Sequence, residues 1–249
     1  MKAMILSAGR GTRLGALTNS LPKPLLPAAG RPLIGYILAN LKAHGVREVV
    51  INLHFEGEQI RTALGDGLAH GLRIHYSEEP ELLGTAGGVK HAAVHFQNED
   101  AFLVHYGDIV TDEDLSEMAR KHRDNKALVT LLVHHRRKSN SAIVFDKQFV
   151  IREFHERPDE SFWDSRDSAW VNSGVMLMSP EVLNRVPDNA HVDWPKDIFP
   201  HLLATGRMFA HPLSAYRIAV DSPERLQQLE ADVVAGIFKG NALSLVCET

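Results

Sequence analysis

The sequence predicts an α/β protein, a mostly parallel sheet with helices on both faces and a small antiparallel excursion. Three observations predict it. In the first part of the chain, short β-branched runs alternate with segments of helical apolar spacing, the pattern of strand–helix–strand units. The first run, Met4-Ile5-Leu6, empties into Ser7-Ala8-Gly9-Arg10-Gly11, a turn of small residues placed where open parallel sheets bind ligands, beyond the carboxyl end of a strand. From Ser141 the alternation changes: 142–145 and 149–154 read as short strands joined by an Asp-Lys-Gln turn, an antiparallel pair.

The elements follow in order. Arg31-Pro32-Leu33-Ile34 starts a helix whose apolar positions continue through Ile37, Leu38 and Leu41 and which ends near Gly45. Residues 46–53 read as a strand, 57–64 as a helix and 72–76 as a strand. A glycine-rich loop at 84–88 opens onto a helix running from Gly88 through Phe96. Residues 101–106 form a buried strand that ends in Gly107-Asp108, and Thr111-Asp112-Glu113-Asp114 caps the next helix. The strand 127–133 leads to His134-His135 and Arg136-Arg137-Lys138, read as a solvated basic turn or as an edge near the active site. Residues 159–168 read as a lid or as an oligomer contact, the latter in a homodimer. The strand 169–178 carries Asn172-Ser173-Gly174, Ser179-Pro180-Glu181 starts a helix with capping residues, and Trp194–Pro200 opens a short one. Residues 216–221 run from a strand into a last helix ending near Gly236, followed by the apolar stretch Ala242–Val246. Repeats and linkers are absent, so the expectation is one domain over 1–249, with a small insertion at about 140–175 and no C-terminal β-helix.

Composition excludes several classes of function. A net charge of −4 and a pI near 6.4 argue against a broad nucleic-acid surface, so positive charge is expected to be local. No run reaches membrane-spanning length, and the apolar start is too short for a signal peptide, so neither nucleic acid nor membrane is an expected partner. A single cysteine, Cys247, cannot form an internal disulfide, which fits a cytoplasmic location. None of the 14 histidines falls in an HExxH or cysteine-rich ligand spacing.

Chemistry concentrates at the start of the chain. The glycines let backbone approach a ligand, Arg13 can fork onto two phosphate oxygens, and Lys23, between Pro22 and Pro24, supplies a compact positive charge. Position 14 is leucine, which rules out the Gly-x-Gly-x-x-Gly dinucleotide fingerprint, and no Gly-Lys-Ser/Thr follows to make a P-loop. Read as a whole, Leu6-x-Ala8-Gly9-x-Gly11-Thr12-Arg13-Leu14 with Pro22-Lys23-Pro24 resembles the signature of nucleotidyltransferases that join a nucleoside triphosphate to a sugar 1-phosphate.

That resemblance implies a Rossmann-like, GT-A-like nucleotidyltransferase fold and a set of roles. Leu6, Ala8, Gly9, Gly11 and Thr12 would bind the nucleotide, with Gly84, Thr85 and Gly87 packing against base and ribose. Arg13 and Lys23 would be catalytic, offsetting charge on the triphosphate. Asp108 would be the first Mg²⁺ ligand, and Gly107, Glu156, Arg157 and Asn172 would hold the sugar phosphate and its hydroxyls. Arg157 departs from the family's lysine, keeping charge and changing geometry. A second departure puts Ala219 where the family has its second metal aspartate. Asp221, two residues on, either reaches the ion, as residues two apart share a strand face, or serves as a helix N-cap. The implied substrates are GTP with mannose or heptose 1-phosphate, with uridylyl or thymidylyl transfer to a hexose or hexosamine 1-phosphate as the alternative. A catalytically weak subunit that senses nucleotide sugars is an alternative of another class; a nucleotide-sugar glycosyltransferase is a third, and would normally show Asp-x-Asp where this chain has Gly107-Asp108-Ile109.

Overall fold

The computed structural model describes residues 1–240, so Cys247 and the apolar stretch Ala242–Val246 lie outside the described residues. The chain forms two compact units. The first comprises Met1–Leu82, His105–Asp114 and the chain from Ser214 on, and the second Leu83–Val104 and Leu115–Leu213. The stretch 140–175 lies inside the second unit.

The first unit is built on parallel strands. β1 (Lys2–Leu6) leads through two short 3₁₀ segments to the hairpin β2 (Pro27–Ala28) and β3 (Arg31–Pro32), then α1 (Leu33–Ala43), β4 (Glu48–Leu53), α2 (Gly57–Leu64) and β5 (Arg73–Glu78). β1 pairs with β4 from Lys2↔Glu48 to Leu6↔Asn52, and β4 with β5 from Glu48↔Arg73 to Leu53↔Glu78, all parallel. The apolar runs Ala3–Ile5 and Val49–Ile51 are buried throughout, as parallel strands covered on both faces require. Leu14, Leu26, Leu33, Tyr36, Val110, Ile218 and Leu229 form a core that gathers the opening loop, α1 and the end of the chain.

The second unit opens with α3 (Gly84–His91). β6 (Phe102–Tyr106) starts in this unit and ends in the first, where β7 (Ile109–Thr111) follows. Then come α4 (Leu115–Asp124), β8 (Val129–Arg136), β9 (Ser141–Phe145), β10 (Ile151–Glu156), α5 (Glu160–Asp164), β11 (Ala169–Met178), α6 (Phe199–Leu202) and β12 (Met208–Pro212). β11 pairs antiparallel with β8, β10 antiparallel with β9, and β12 parallel with β8. The chain returns to the first unit for β13 (Arg217–Ala219), antiparallel to β7, and α7 (Pro223–Val234). The α/β class, with a mixed, mostly parallel sheet and helices, is as expected; the antiparallel excursion expected from Ser141 lies in the second unit.

Four local expectations are corrected. α3 begins at Gly84 rather than Gly88, because the amides of its first turn find acceptors nearby. β8 runs on to Arg136, so His134 and His135 are strand residues opposite Val171 and Trp170, with Nδ1 atoms 2.9 Å from Ser173 Oγ and Ser168 Oγ, rather than a solvated turn. Asp112 and Glu113 tie down the returning chain instead of simply opening α4: Glu113 accepts from Ser214 N, Ser214 Oγ and Ala215 N, and Asp112 from Tyr216 N and Lys239 N. Ser179 does not cap the Pro180–Arg185 turn with its side chain; its hydroxyl donates to Ala127 O.

Two buried histidines set a pH dependence of stability. Burial pushes His105 from 6.5 down to about 4, and burial together with the positive charge of Arg123 and Arg207 does the same to His122. Both are neutral in the fold and charge more readily when unfolded, so this stability is fully present above the unfolded value and is lost as pH falls from 6.5 toward 4. At pH 5 the loss is roughly 2 kcal/mol for each, from about 1.4 kcal/mol per pH unit. The thermal midpoint should therefore drop between pH 7 and 5, and the slope should become shallower in His122→Gln. An unchanged slope in that variant would remove His122 from this account.

Candidate active site

The opening loop is positioned by a polar stitch across three strand ends. Ser7 N–H, just past β1, donates to Asn52 Oδ1 at 2.7 Å, and Asn52 Nδ2 donates to Glu79 Oε1 at 2.7 Å. All three residues are buried, so the bonds are shielded from water and hold the loop's first residue. Beyond it the glycines differ in purpose. A Cβ on Gly9 would meet nothing within 4 Å, so packing makes no demand for glycine there. Gly11 has φ +64° and its missing Cβ lies 3.0 Å from Lys23 Cβ, so both its backbone and the lysine stem require it. Leu14 N–H donates to Gly11 O at 3.0 Å and the leucine side chain anchors in the core, which leaves the neighbouring Arg13 largely exposed.

Arg13 and Lys23 are held by the two acids singled out from the sequence. Lys23 sits on a single 3₁₀ turn flanked by Pro22 and Pro24; its Nζ is 2.8 Å from Asp108 Oδ2, with the lysine side chain only 11% exposed. Arg13 Nη1 is 3.2 Å from Asp221 Oδ2. Asp108 follows β6 and Gly107, and a Cβ on Gly107 would stand 2.6 Å from Leu6 O and 2.8 Å from Ser7 Oγ. Glycine at 107 is thus demanded by the end of β1 pressing on it. Gly107 N–H donates to Leu6 O at 2.9 Å, which couples Asp108 to the loop directly.

Asp221 comes alongside Asp108 through backbone pairing. Ala219 stands opposite Ile109 in the β13–β7 pair, and Val220 N–H donates to Asp108 O at 2.8 Å. β13 ends at Ala219, so Asp221 lies past the strand and the alternation of strand faces does not apply to it. Nor is it the cap of α7: Ser222 caps, its hydroxyl accepting from Arg225 N. Among the described residues no group of three or more His, Cys, Asp and Glu could hold a metal ion by itself.

Ala8 and Thr12 lie in the opening loop of the first unit, and Gly84, Thr85, Gly87, Glu156, Arg157 and Asn172 belong to the second. Glu156 ends β10 half-buried; burial pushes its carboxyl up, Arg157 draws it down and Asp193 pushes it up again. Arg157 has φ +48°, its Nε lies 3.6 Å from Glu156 Oε1, and its side chain is 81% exposed. Asn172 sits where β11 bulges; its Oδ1 accepts from Gly174 N–H at 3.0 Å, so the carbonyl end of the side chain serves its own strand. Thr85 opens α3 with its side chain engaged within the protein: its hydroxyl donates to Asp193 Oδ1 at 2.9 Å and accepts from Trp194 N–H at 3.0 Å.

Sequence reasoning missed Asn52, Glu79 and Asp193. A signal existed for Asn52 alone, as a polar residue inside the apolar run Val49-Val50-Ile51-Asn52-Leu53. Glu79 and Asp193 sit in polar loops where nothing marks them.

Comparison with known proteins adds what the geometry leaves open. Residues 2–216 match the family model described as nucleotidyl transferase. A mannose-1-phosphate guanylyltransferase of Mycobacterium tuberculosis is 31% identical over 245 residues, 97% of this chain and 67% of its own length. An N-acetylmuramate alpha-1-phosphate uridylyltransferase of Neisseria meningitidis serogroup B is 52% identical over 117 residues, 47% of this chain and 50% of its own length. A putative glucose-1-phosphate thymidylyltransferase from Bacillus anthracis has the same fold, with a TM-score of 0.80 at 21% identity, covering 93% of this chain and 94% of that one.

Proposed function

This chain belongs to the nucleotidyl transferase family, and on that premise we propose that it joins a nucleoside triphosphate to a sugar 1-phosphate. A phosphate oxygen of the sugar 1-phosphate attacks the α-phosphorus in line, the bond to the bridging oxygen of the β-phosphate breaks, and a nucleoside-diphosphate sugar and pyrophosphate result. The observation that carries the reading is the pair of ion pairs Lys23–Asp108 and Arg13–Asp221 at the mouth of one glycine loop. In each, a phosphate-seeking cation is matched with a metal-seeking acid. A metal–triphosphate complex offers both partners at once, so each pair can exchange its internal contact for a ligand contact without leaving a charge uncompensated.

No side-chain nucleophile is required, and the residues' work is positioning and neutralisation. The Gly9–Thr12 backbone and Arg13 hold the β and γ phosphates, and Lys23 offsets charge growing at the α-phosphate. Asp108 and Asp221 suit Mg²⁺, which takes one or two carboxylates and completes its shell with phosphate oxygens and water. Bound there, the cation would neutralise phosphate charge and polarise the α-phosphate. In the second unit Glu156 and the free amide of Asn172 orient sugar hydroxyls, and Arg157 meets the sugar phosphate.

For the substrates, likeness along nearly the whole chain to a mannose-1-phosphate guanylyltransferase favours GTP with mannose 1-phosphate, with heptose 1-phosphate kept beside it from the resemblance in the sequence. A second reading, UTP with an N-acetylated sugar 1-phosphate, is favoured by the 52% identity to the uridylyltransferase. Pyrophosphate release with Mg²⁺, measured for GTP, UTP, dTTP and CTP against mannose, glucose, heptose and N-acetylated sugar 1-phosphates, tests both. One strongly preferred pair supports the transferase and names its substrates; silence across the grid, with nucleotide sugars still binding, would replace it by a sensing subunit.

A further inference from the structure

The start of α3 is held by a clasp that lies wholly within the second unit. Asp193 Oδ1 accepts from both Thr85 N–H and Thr85 Oγ1, each at 2.9 Å, and Thr85 Oγ1 accepts from Trp194 N–H at 3.0 Å. Ala86 N–H and Gly87 N–H donate to Val192 O at 2.8 and 3.1 Å, and Val192 N–H donates back to Leu83 O at 2.9 Å. The surfaces are pressed together: a Cβ on Gly84 would stand 2.6 Å from Val192 O, and one on Gly87 2.3 Å from Ala190 O. Asp193 is itself oriented, its N–H donating to Asp197 Oδ2 at 2.8 Å.

The first amides of a helix have no partners inside the helix and are commonly offered to ligands or capping groups. Here those of Thr85, Ala86 and Gly87 are all consumed by 192 and 193. This helix start is therefore not an anion cradle, and its contribution to a bound nucleotide is one of shape. Of the six bonds in the clasp only those through the Asp193 carboxylate rest on that side chain, and a carboxylate acceptor makes them charge-assisted.

We infer that Asp193 is a positioning residue: by gripping Thr85 through both of its donors it sets where the Gly84–Gly87 turn meets the nucleotide. This rests on the nucleotidyltransferase reading, which makes that turn part of the nucleotide site. Displacement of a binding turn by a fraction of an ångström to an ångström weakens ligand contacts without altering the groups that do the chemistry.

The test compares Asp193→Ala, Asp193→Asn, Thr85→Val and the Asp193→Ala/Thr85→Val double variant with the wild-type chain. Binding of GTP, UTP and dTTP, each with Mg²⁺, is measured by calorimetry, alongside KM for both substrates, kcat and the thermal midpoint. Asp193→Ala and Thr85→Val should each weaken nucleotide binding by on the order of tenfold, with kcat and the sugar-phosphate KM within about twofold. The double variant should lose less than the sum of the two singles, since both remove the bond between Thr85 Oγ1 and Asp193. Asp193→Asn keeps the acceptor oxygen and should keep nucleotide affinity, while loss of its charge moves the Glu156 titration to lower pH. Wild-type nucleotide affinity in folded Asp193→Ala, additive losses in the double variant, or a joint fall of kcat, both KM values and thermal midpoint would each overturn the assignment. If Asp193→Ala does not fold, Thr85→Val and Asp193→Asn decide by the same criteria. A wild-type chain that binds none of the three nucleotides would fail the transferase reading and this proposal with it, whereas equal binding by wild type and Asp193→Ala fails the proposal alone.

Discussion

Lys23→Ala is expected to lower kcat by at least on the order of a hundredfold, the usual cost of removing one preorganised electrostatic donor. The lysine is the least exposed cation of the opening loop, its stem packs on Gly11 and its Nζ is 2.8 Å from Asp108 Oδ2. Its charge is thus held in place, and solvent screens it little. Lys23→Met keeps the stem and separates charge from packing. Steady-state kinetics of both variants, with thermal unfolding as the control for folding, give the answer. Near-normal turnover in either would remove Lys23 from the chemistry and leave the loop without its central cation.

Asp108→Asn should have an effect of comparable or greater size, about a hundredfold to a thousandfold in kcat. The substitution keeps the side chain's shape, removes the charge offered to a divalent cation, and leaves the partly buried Lys23 unpaired. It should therefore raise the Mg²⁺ concentration needed for half-maximal rate, and it should weaken Mn²⁺ binding measured by calorimetry in the presence of nucleotide, a readout independent of turnover. Asp221→Asn should shift the metal dependence less, because its partner Arg13 is 69% exposed and water can replace the lost contact. Equal metal dependence in wild type and Asp108→Asn would refute Asp108 as a ligand.

The parts legible in the sequence were those written in local pattern. Strand-length apolar runs and helical spacing placed β1, α1, β4, α2 and β5 to within a few residues, because burial on both faces of a parallel sheet leaves an unbroken apolar signature. The string from Leu6 to Leu14 with Pro22-Lys23-Pro24 was legible for another reason: phosphate chemistry needs glycine, arginine and lysine close together along the chain. Asp108 was legible from the strand that precedes it.

What escaped the sequence was set by contacts between residues far apart in it. The acids at 112 and 113 look like a helix cap locally, yet they receive the amides of 214–216, about a hundred positions away. Gly84 and Gly87 look like a mobile loop, yet the backbone at 190–192 presses against them and converts the loop into the first turn of a helix. Asp221 looks like a strand residue or a cap, and it is the β13–β7 pairing that brings it beside Asp108.

By itself, then, the sequence determined the α/β class and the glycine-bearing opening loop with its charged residues, since each is encoded by neighbours a few positions apart. Only the tertiary structure decided which acid faces which cation, why 11, 84, 87 and 107 must be glycine, and that Asn52, Glu79 and Asp193 hold the loops in place. Those outcomes depend on hydrogen bonds, ion pairs and close approaches across as many as 208 positions of chain, and local composition carries no record of such pairings.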